Sequence, residues 1–92
     1  MTEQTVIAVR RCKTVEDAIH IRDAYQRIAR DIEALIVDMS LLDRHAPDTL
    51  LLGVLLNMRR HFREGVEIRL SAYPHYLPAL LKICRKESLF SF

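Results

Sequence analysis

The sequence is poor in the residues from which several common kinds of site are built. Its 92 residues include two glycines, Gly53 and Gly65, too few for a glycine-rich loop that cradles a nucleotide phosphate. Its two cysteines, Cys12 and Cys84, lack metal-site spacing and suit free thiols in a reducing compartment. We therefore expect no disulfide framework, no nucleotide cradle and no activated thiolate.

An excess of charge of one sign is also missing. Fourteen Lys and Arg residues are balanced by 12 Asp and Glu residues, which are interspersed along the chain. This balance gives no case for nucleic acid or an anionic membrane as a partner. The longest apolar run, Leu50–Leu56, is shorter than the ~20 residues that a membrane span needs. The sequence opens without a signal-peptide pattern. We expect one cytoplasmic domain over residues 1–92, with no direct membrane insertion.

Candidate catalytic and metal-binding side chains are scattered along the sequence. Asp38, Asp43 and Asp48 recur at a constant interval around a predicted strand end, which faintly resembles a metal or acid cluster. Without His or Cys at ligand spacing, strand-end and helix-cap roles are the stronger interpretation. The four histidines have no partner motif. We predict that the chain is not an enzyme, binds no metal and needs no cofactor.

Hydrophobic periodicity predicts alternating strands and helices. The predicted elements are a strand at Thr5–Val9, a helix capped by Thr14 that continues to about Ile32, a strand at Ala34–Val37, a helix from Asp48 to about Glu64, a strand at Val66–Leu70 and a helix at His75–Lys86. This order predicts an α/β fold with a mostly parallel sheet and right-handed crossovers. The strand Ala34–Val37 is apolar on both faces, so we expect it to be central and covered on both sides. Val66–Leu70 alternates, so we expect it nearer an edge.

The start of the central helix is the candidate site. Asp48 is expected to cap it, and Thr49 places a hydroxyl at the positive end of the helix dipole. That hydroxyl either belongs to the helix cap or is a site of chemical function. Sites in open parallel sheets lie at the carboxyl ends of strands, where the preceding loop ends. The expected partner-binding residues are therefore Leu41, Leu42, Arg44, His45, Leu50 and Leu51.

Several short motifs in this region fall in register with a known family pattern. They are Asp38-Met39-Ser40 at a strand end, Asp48-Thr49 and Leu52-Gly53-Val54-Leu55 in the central helix, and Gly65 before the next strand. Together they resemble the STAS domain, the fold of sulfate-transporter tails and bacterial anti-sigma-factor antagonists. In that family an Asp-Leu-Ser strand end precedes Asp-Ser/Thr-Ser-Gly at the helix start. Leu50-Leu51 stand here in place of the family's Ser-Gly.

The resemblance implies a sheet of four or five strands flanked by helices, and a regulatory, non-enzymatic function. A stand-alone bacterial antagonist binds an anti-sigma factor, usually a serine kinase, which ends the binding by phosphorylating the hydroxyl that corresponds to Thr49. The alternative is a constitutive STAS subunit of a lipid-transport ABC ATPase complex, or a stressosome-like scaffold. In that case Thr49 is a cap and contact residue, and Leu50 and Leu51 face the partner. The sequence does not decide whether the chain forms a homodimer.

Overall fold

The predicted alternation of strands and helices is confirmed by a computed structural model, which describes residues 5–43 and 48–92. The elements are β1 (Thr5–Ala8), α1 (Val15–Gln26), β2 (Ala34–Asp38), α2 (Asp48–His61), β3 (Glu67–Ser71) and α3 (Leu77–Ile83), followed by a short 3-10 helix (Glu87–Leu89). The fold is therefore α/β, as the periodicity indicates. No helix in the described ranges is long and apolar enough to cross a membrane.

The three strands form a parallel sheet in the order β1-β2-β3. The predicted central position of β2 is confirmed, because Ile36 pairs with Val6 on one side and with Arg69 on the other. Beyond β3, Ser91 forms a single parallel bridge to Arg69. The described sheet is therefore smaller than the four or five strands that the family resemblance implies, with the C-terminal segment reduced to one bridge.

The helices cover one face of this sheet. Leu35 and Val37 of β2 are fully buried, as are Ile68 and Leu70 of β3. The alternate residues on the other face are partly or fully exposed, and Val6 is 55% exposed. The prediction that both faces of β2 are covered is therefore wrong. Right-handed crossovers between strands in sequential order place every connecting helix on the same side, so the second face stays open.

The core lies between the covered face of the sheet and the helices. From α2 it receives Leu51, Leu55 and Met58, which recur at helical spacing and have no exposed surface. From α1 it receives Ile21 and Tyr25. Leu77 and Leu81 of α3 complete the same cluster. The core thus fixes the rotation of α2, and with it the direction in which each side chain at the start of this helix points.

The first helix ends at Gln26, before the predicted end near Ile32. The Ile28 carbonyl, which a helix continuing to Ile32 would use, and the Arg30 carbonyl both contact the end of α2 instead. The His61 ring nitrogen Nε2 lies 3.1 Å from the Ile28 carbonyl oxygen, and the Arg63 amide donates to the Arg30 carbonyl oxygen at 2.8 Å. These tertiary hydrogen bonds outweigh the apolar periodicity. Ile28 and Ile32 still pack on the core, but from a loop.

Candidate functional site

The carboxyl end of β2 is shaped by a turn that starts at Asp38. Its carboxylate accepts a hydrogen bond from the Ser40 amide at 2.9 Å. This main-chain bond, with a further one from the Ser40 side chain and the charge of Arg10, lowers the pKa of Asp38 below its ordinary value. Met39 is buried, and its amide donates to the Ser71 carbonyl oxygen at 3.0 Å. The Asp-Met-Ser motif is thus a folded strand end tied to the neighbouring strand.

The loop that follows is held to the loop after β1. The Asp43 amide donates to the Arg10 carbonyl oxygen at 3.2 Å, and the Asp43 carboxylate lies 2.9 Å from the Lys13 ammonium group. Both side chains are partly exposed, so the ion pair contributes little to stability by itself. Its effect is positional, because it brings the first half of the β2–α2 loop over the end of β1.

A cavity of about 390 Å³ opens at this edge of the sheet. Met39, Ser40 and Leu42 from the β2 loop line one side, and Ala72 and His75 from the β3–α3 loop line the other. Ala72 has a φ of 53°, in the left-handed region that costs a non-glycine residue about 1–2 kcal/mol. Backbone strain of this kind is often found at binding sites. The cavity lies at the carboxyl ends of β2 and β3, the end of an open parallel sheet at which ligands commonly bind.

The sequence analysis overlooked the β3–α3 contribution to this cavity. Because the carboxyl ends of neighbouring parallel strands meet at one edge, the loop after Ser71 necessarily borders the loop after Asp38. The predicted parallel sheet, with Ala34–Val37 at its centre, therefore already contained this signal. The imidazole of His75 is exposed and lies against Tyr76, with ring centroids 6.0 Å apart. A polar ring is thus available to a partner at this edge.

The start of α2 lies on the same connection, and its residues differ in exposure. Thr49 is exposed in the first turn, Leu50 is partly buried, and Leu51 is 0% exposed. The assignment of Leu51 as a partner-binding residue therefore needs correction, because it is a core residue with no surface left for a partner. Its burial fixes the first turn of the helix against the sheet, and Thr49 is left on the outer side.

The two leucines among the predicted loop contacts differ in exposure. Leu41 is 65% exposed, whereas Leu42 is partly buried against the core. Leu41 lies within a turn from Met39 to Leu42, which is closed by a hydrogen bond of 3.0 Å from the Leu42 amide to the Met39 carbonyl oxygen. Arg44, His45 and the side chain of Asp48 lie outside the described residues. Their predicted roles, in partner binding and in capping, stay predictions.

The described side chains offer binding surface more than reactive chemistry. Within residues 5–43 and 48–92, no three His, Cys, Asp or Glu side chains form a group that could hold a metal ion. Burial, with the nearby charge of Asp17, raises the pKa of the Cys12 thiol, which disfavours the reactive thiolate. What the site presents is an exposed threonine at Thr49, an exposed aliphatic side chain on Leu41 and a cavity of mixed polarity at the adjoining strand ends.

Comparison of the chain with protein-family models, with curated proteins and with solved structures finds no match.

Proposed function

We propose that this chain is a non-enzymatic regulatory domain of the STAS type, similar to an anti-sigma-factor antagonist. It binds an anti-sigma factor or serine kinase, and phosphorylation of Thr49 ends that binding. The observation that carries the proposal is the exposure of Thr49 in the first turn of α2, directly after the connection from the Asp38-Met39-Ser40 strand end. The α/β order with a central parallel β2 supports it.

The start of a buried helix is a suitable place for a reversible charge. The first amides of α2 have no partner within the helix, and the helix dipole favours a negative group at this end. A phosphate on Thr49 adds about −1.5 to −2 charge, which these groups accept without unfolding the domain. The helix start is held independently of Thr49, because Leu51 is fully buried and Leu50 packs against the core.

The same charge would oppose a docked protein. Leu41 lies exposed on the loop that leads toward this helix start, and an exposed leucine of this kind suits a desolvated protein contact. A doubly charged phosphate at the rim of an apolar contact must be desolvated when the partner binds, which weakens the complex. Phosphorylation therefore switches binding off while leaving the fold unchanged.

The second candidate is a constitutive subunit of a lipid-transport ABC ATPase complex or of a stressosome-like scaffold. The exposed Leu41 supports this candidate as well as the first, because an aliphatic contact needs no charge switch. The burial of Leu51 removes one contact that this alternative uses. In this case Thr49 is a surface residue of the helix start, and its charge state does not control assembly.

A pair of Thr49 variants separates the two candidates. In the switch, Thr49→Glu abolishes binding to the serine kinase or anti-sigma factor of the same genome, and Thr49→Ala binds permanently. Isothermal titration calorimetry measures the affinity, and mass spectrometry after incubation with the kinase and ATP locates the phosphate. Asn57→Asp is the matched control, because it adds a charge to another exposed position of α2. A Thr49→Glu variant that binds as tightly as the wild type would exclude the switch.

A further inference from the structure

A groove of about 450 Å³, which we call the α2 groove, lies beside the central and C-terminal part of α2. One wall is a stripe of this helix, formed by Gly53, Leu56, Asn57 and Arg60. Their spacing of three and four residues places them on one side of α2, over two turns or about 10 Å. Arg59, with Lys86 and Leu89 from the segment that follows α3, completes the lining. The site proposed above, at the first turn of α2, is not part of this groove.

Gly53 leaves a gap in the helical wall of the α2 groove. A glycine inside a helix loses more conformational freedom on folding than any other residue, so it destabilises the helix relative to alanine. The packing of the described residues does not require this glycine, because a Cβ atom added to it would meet no other part of their fold within 4 Å. The helix instead presents its main chain at this point. A bound segment can therefore approach α2 closely.

The positive charges of the α2 groove are not balanced by a carboxylate among its described lining residues. Arg59 is 9% exposed, and its guanidinium donates to the main-chain carbonyl oxygens of Val66 and Arg63. Arg60 and Lys86 are exposed, and within residues 5–43 and 48–92 neither side chain forms an ion pair. Three cations thus raise the electrostatic potential of one recess, and an anion is the complementary ligand.

The remaining lining of the groove is mainly apolar. Leu56 is partly buried, Leu89 is 38% exposed, and Gly53 has no side chain. Asn57 is exposed and offers an amide group that both donates and accepts hydrogen bonds. Leucine side chains beside arginine and lysine suit a ligand that carries an apolar group and an acid close together. A peptide with a leucine-like residue next to Asp or Glu has this chemistry.

We infer that the α2 groove binds an acidic, amphipathic helix of a partner protein. Such a helix repeats its side chains every three or four residues, which is the spacing of the stripe on α2. Leu56 and Arg60 lie about one turn apart, so an apolar residue and an acid one turn apart on the partner reach both. The main chain of the partner passes over Gly53, and a second acid reaches Lys86. The inference is independent of the switch proposed at Thr49.

A peptide suits these charges better than an anionic membrane surface does. Glu64 and Glu87 are exposed and close in sequence to the exposed cations of the groove, but neither carboxylate lines it. A flat layer of lipid headgroups would approach the carboxylates together with the cations, so attraction and repulsion would largely cancel. A helix inside the recess meets the cations and the leucines without the carboxylates.

Selection from a random peptide library displayed on phage, with the wild-type protein as the target, tests the inference. Peptides of about 16 residues are long enough for roughly four helical turns. We expect enrichment of peptides with Asp or Glu three or four residues from Leu, Ile or Phe. Fluorescence anisotropy then gives the Kd of the most enriched peptide. The double variant Arg60→Gln/Lys86→Gln should raise this Kd by about tenfold. Lys82→Gln, which removes an exposed charge outside the groove, should change it by less than about twofold.

A substitution at Gly53 distinguishes a binding surface from a helix position without a role. Glutamine is a better helix former than glycine and has open space here, so Gly53→Gln should raise the Tm. Because its side chain fills the groove, the same variant should raise the Kd of the peptide several-fold. Thr49→Glu should leave this Kd unchanged, which keeps the test separate from that of the switch.

Three results would overturn the inference: no enriched peptides, enrichment of neutral or basic peptides, or a Kd that neither groove variant changes. Binding to phosphatidylglycerol vesicles in place of peptides would also overturn it, if Arg60→Gln/Lys86→Gln abolishes that binding. The groove cations would then belong to a membrane contact.

Discussion

The Arg59 guanidinium and the main-chain carbonyl oxygen of Val66 lie 2.6 Å apart in the interior of the protein. A second nitrogen of the same guanidinium donates to the Arg63 carbonyl oxygen, also at 2.6 Å. Arg59 is 9% exposed, and its position in the last turns of α2 places it beneath the turn into β3. One buried side chain therefore closes the connection between the central helix and the last strand of the sheet.

The first prediction concerns this closure. Arg59→Met keeps much of the apolar stem but leaves the two carbonyl groups without their charged donor. We expect a loss of about 1–3 kcal/mol in the free energy of unfolding, because buried acceptors left unsatisfied carry this cost. Urea denaturation measures it. Arg60→Met, at the exposed neighbouring position, is the control and should change stability little. Equal losses in both variants would show that the hydrogen bonds are unimportant.

A second prediction concerns the end of α3. Arg85 has a φ of 57°, and its amide donates to the Lys82 carbonyl oxygen at 3.0 Å, while the Lys86 amide donates to the Leu81 carbonyl oxygen at 2.8 Å. This is a Schellman motif, whose left-handed position usually holds glycine. Arg85→Gly should stabilise the protein by roughly 0.5–1 kcal/mol, because relief of left-handed strain outweighs the added flexibility of the unfolded chain.

The control for this change is Arg85→Ala, which removes the same charge but keeps a Cβ atom. Thermal unfolding followed by circular dichroism should show a higher Tm for Arg85→Gly and an unchanged or slightly lower Tm for Arg85→Ala. If both variants shift the Tm equally, the charge of Arg85 matters and its backbone conformation does not.

The fold order could be predicted because each element has a local signal. Thr14 accepts a hydrogen bond from the Asp17 amide at 3.2 Å, and this capping box starts α1 where the sequence indicates. Pro78 lies in the first turn of α3, as expected of proline. The end of α1 has no such signal. It is set by hydrogen bonds between residues far apart in the chain, such as that between Arg30 Nε and the His61 carbonyl oxygen at 2.7 Å.

The candidate site could be predicted less completely, because exposure depends on how elements pack. The apolar run in β2 predicts a buried strand, but its composition does not say on which side the helices cross. The residues Leu50-Leu51 predict an apolar start of the helix. The rotation of α2 then determines that Leu51 lies in the core and that Thr49 is exposed. The sequence predicts Arg59 to be a basic residue at a helix end, and the hydrophobic periodicity does not indicate that it is buried.

The third prediction uses the pH dependence of the α1 cap. The Asp17 carboxylate accepts hydrogen bonds from the Lys13 amide at 3.0 Å and the Thr14 amide at 3.2 Å, and these bonds lower its pKa below the ordinary 3.8. A carboxylate with a lowered pKa in the folded state stabilises the protein above its unfolded pKa, and this contribution is lost as the pH falls through the folded value. Asp17→Ala should therefore lower the Tm at pH 7. The difference in Tm between this variant and the wild type should shrink as the pH falls below 3.8.

Asp23→Ala is the matched control for the cap. Asp23 lies on the same helix, exposed, with its carboxylate 3.9 Å from the Arg22 guanidinium. We expect a smaller difference in Tm from wild type at neutral pH than for Asp17→Ala. A Tm difference for Asp17→Ala that stays constant between pH 7 and acid would contradict the charge-assisted cap, because the lost interaction would then not depend on an ionised carboxylate.

The last prediction separates the two leucines of the β2–α2 loop. Leu41 is 65% exposed, whereas Leu42 packs against the core. Leu41→Ala should leave the free energy of unfolding within about 0.5 kcal/mol of wild type, while Leu42→Ala should lower it by about 0.5–3 kcal/mol. If the loop binds the proposed serine kinase or anti-sigma factor, Leu41→Ala should weaken the complex by about 1 kcal/mol or more, roughly fivefold in Kd. Calorimetric titration and urea denaturation of both variants measure the two effects. An unchanged Kd for Leu41→Ala would remove this leucine from the interface and leave the Thr49 end of α2 to carry the contact.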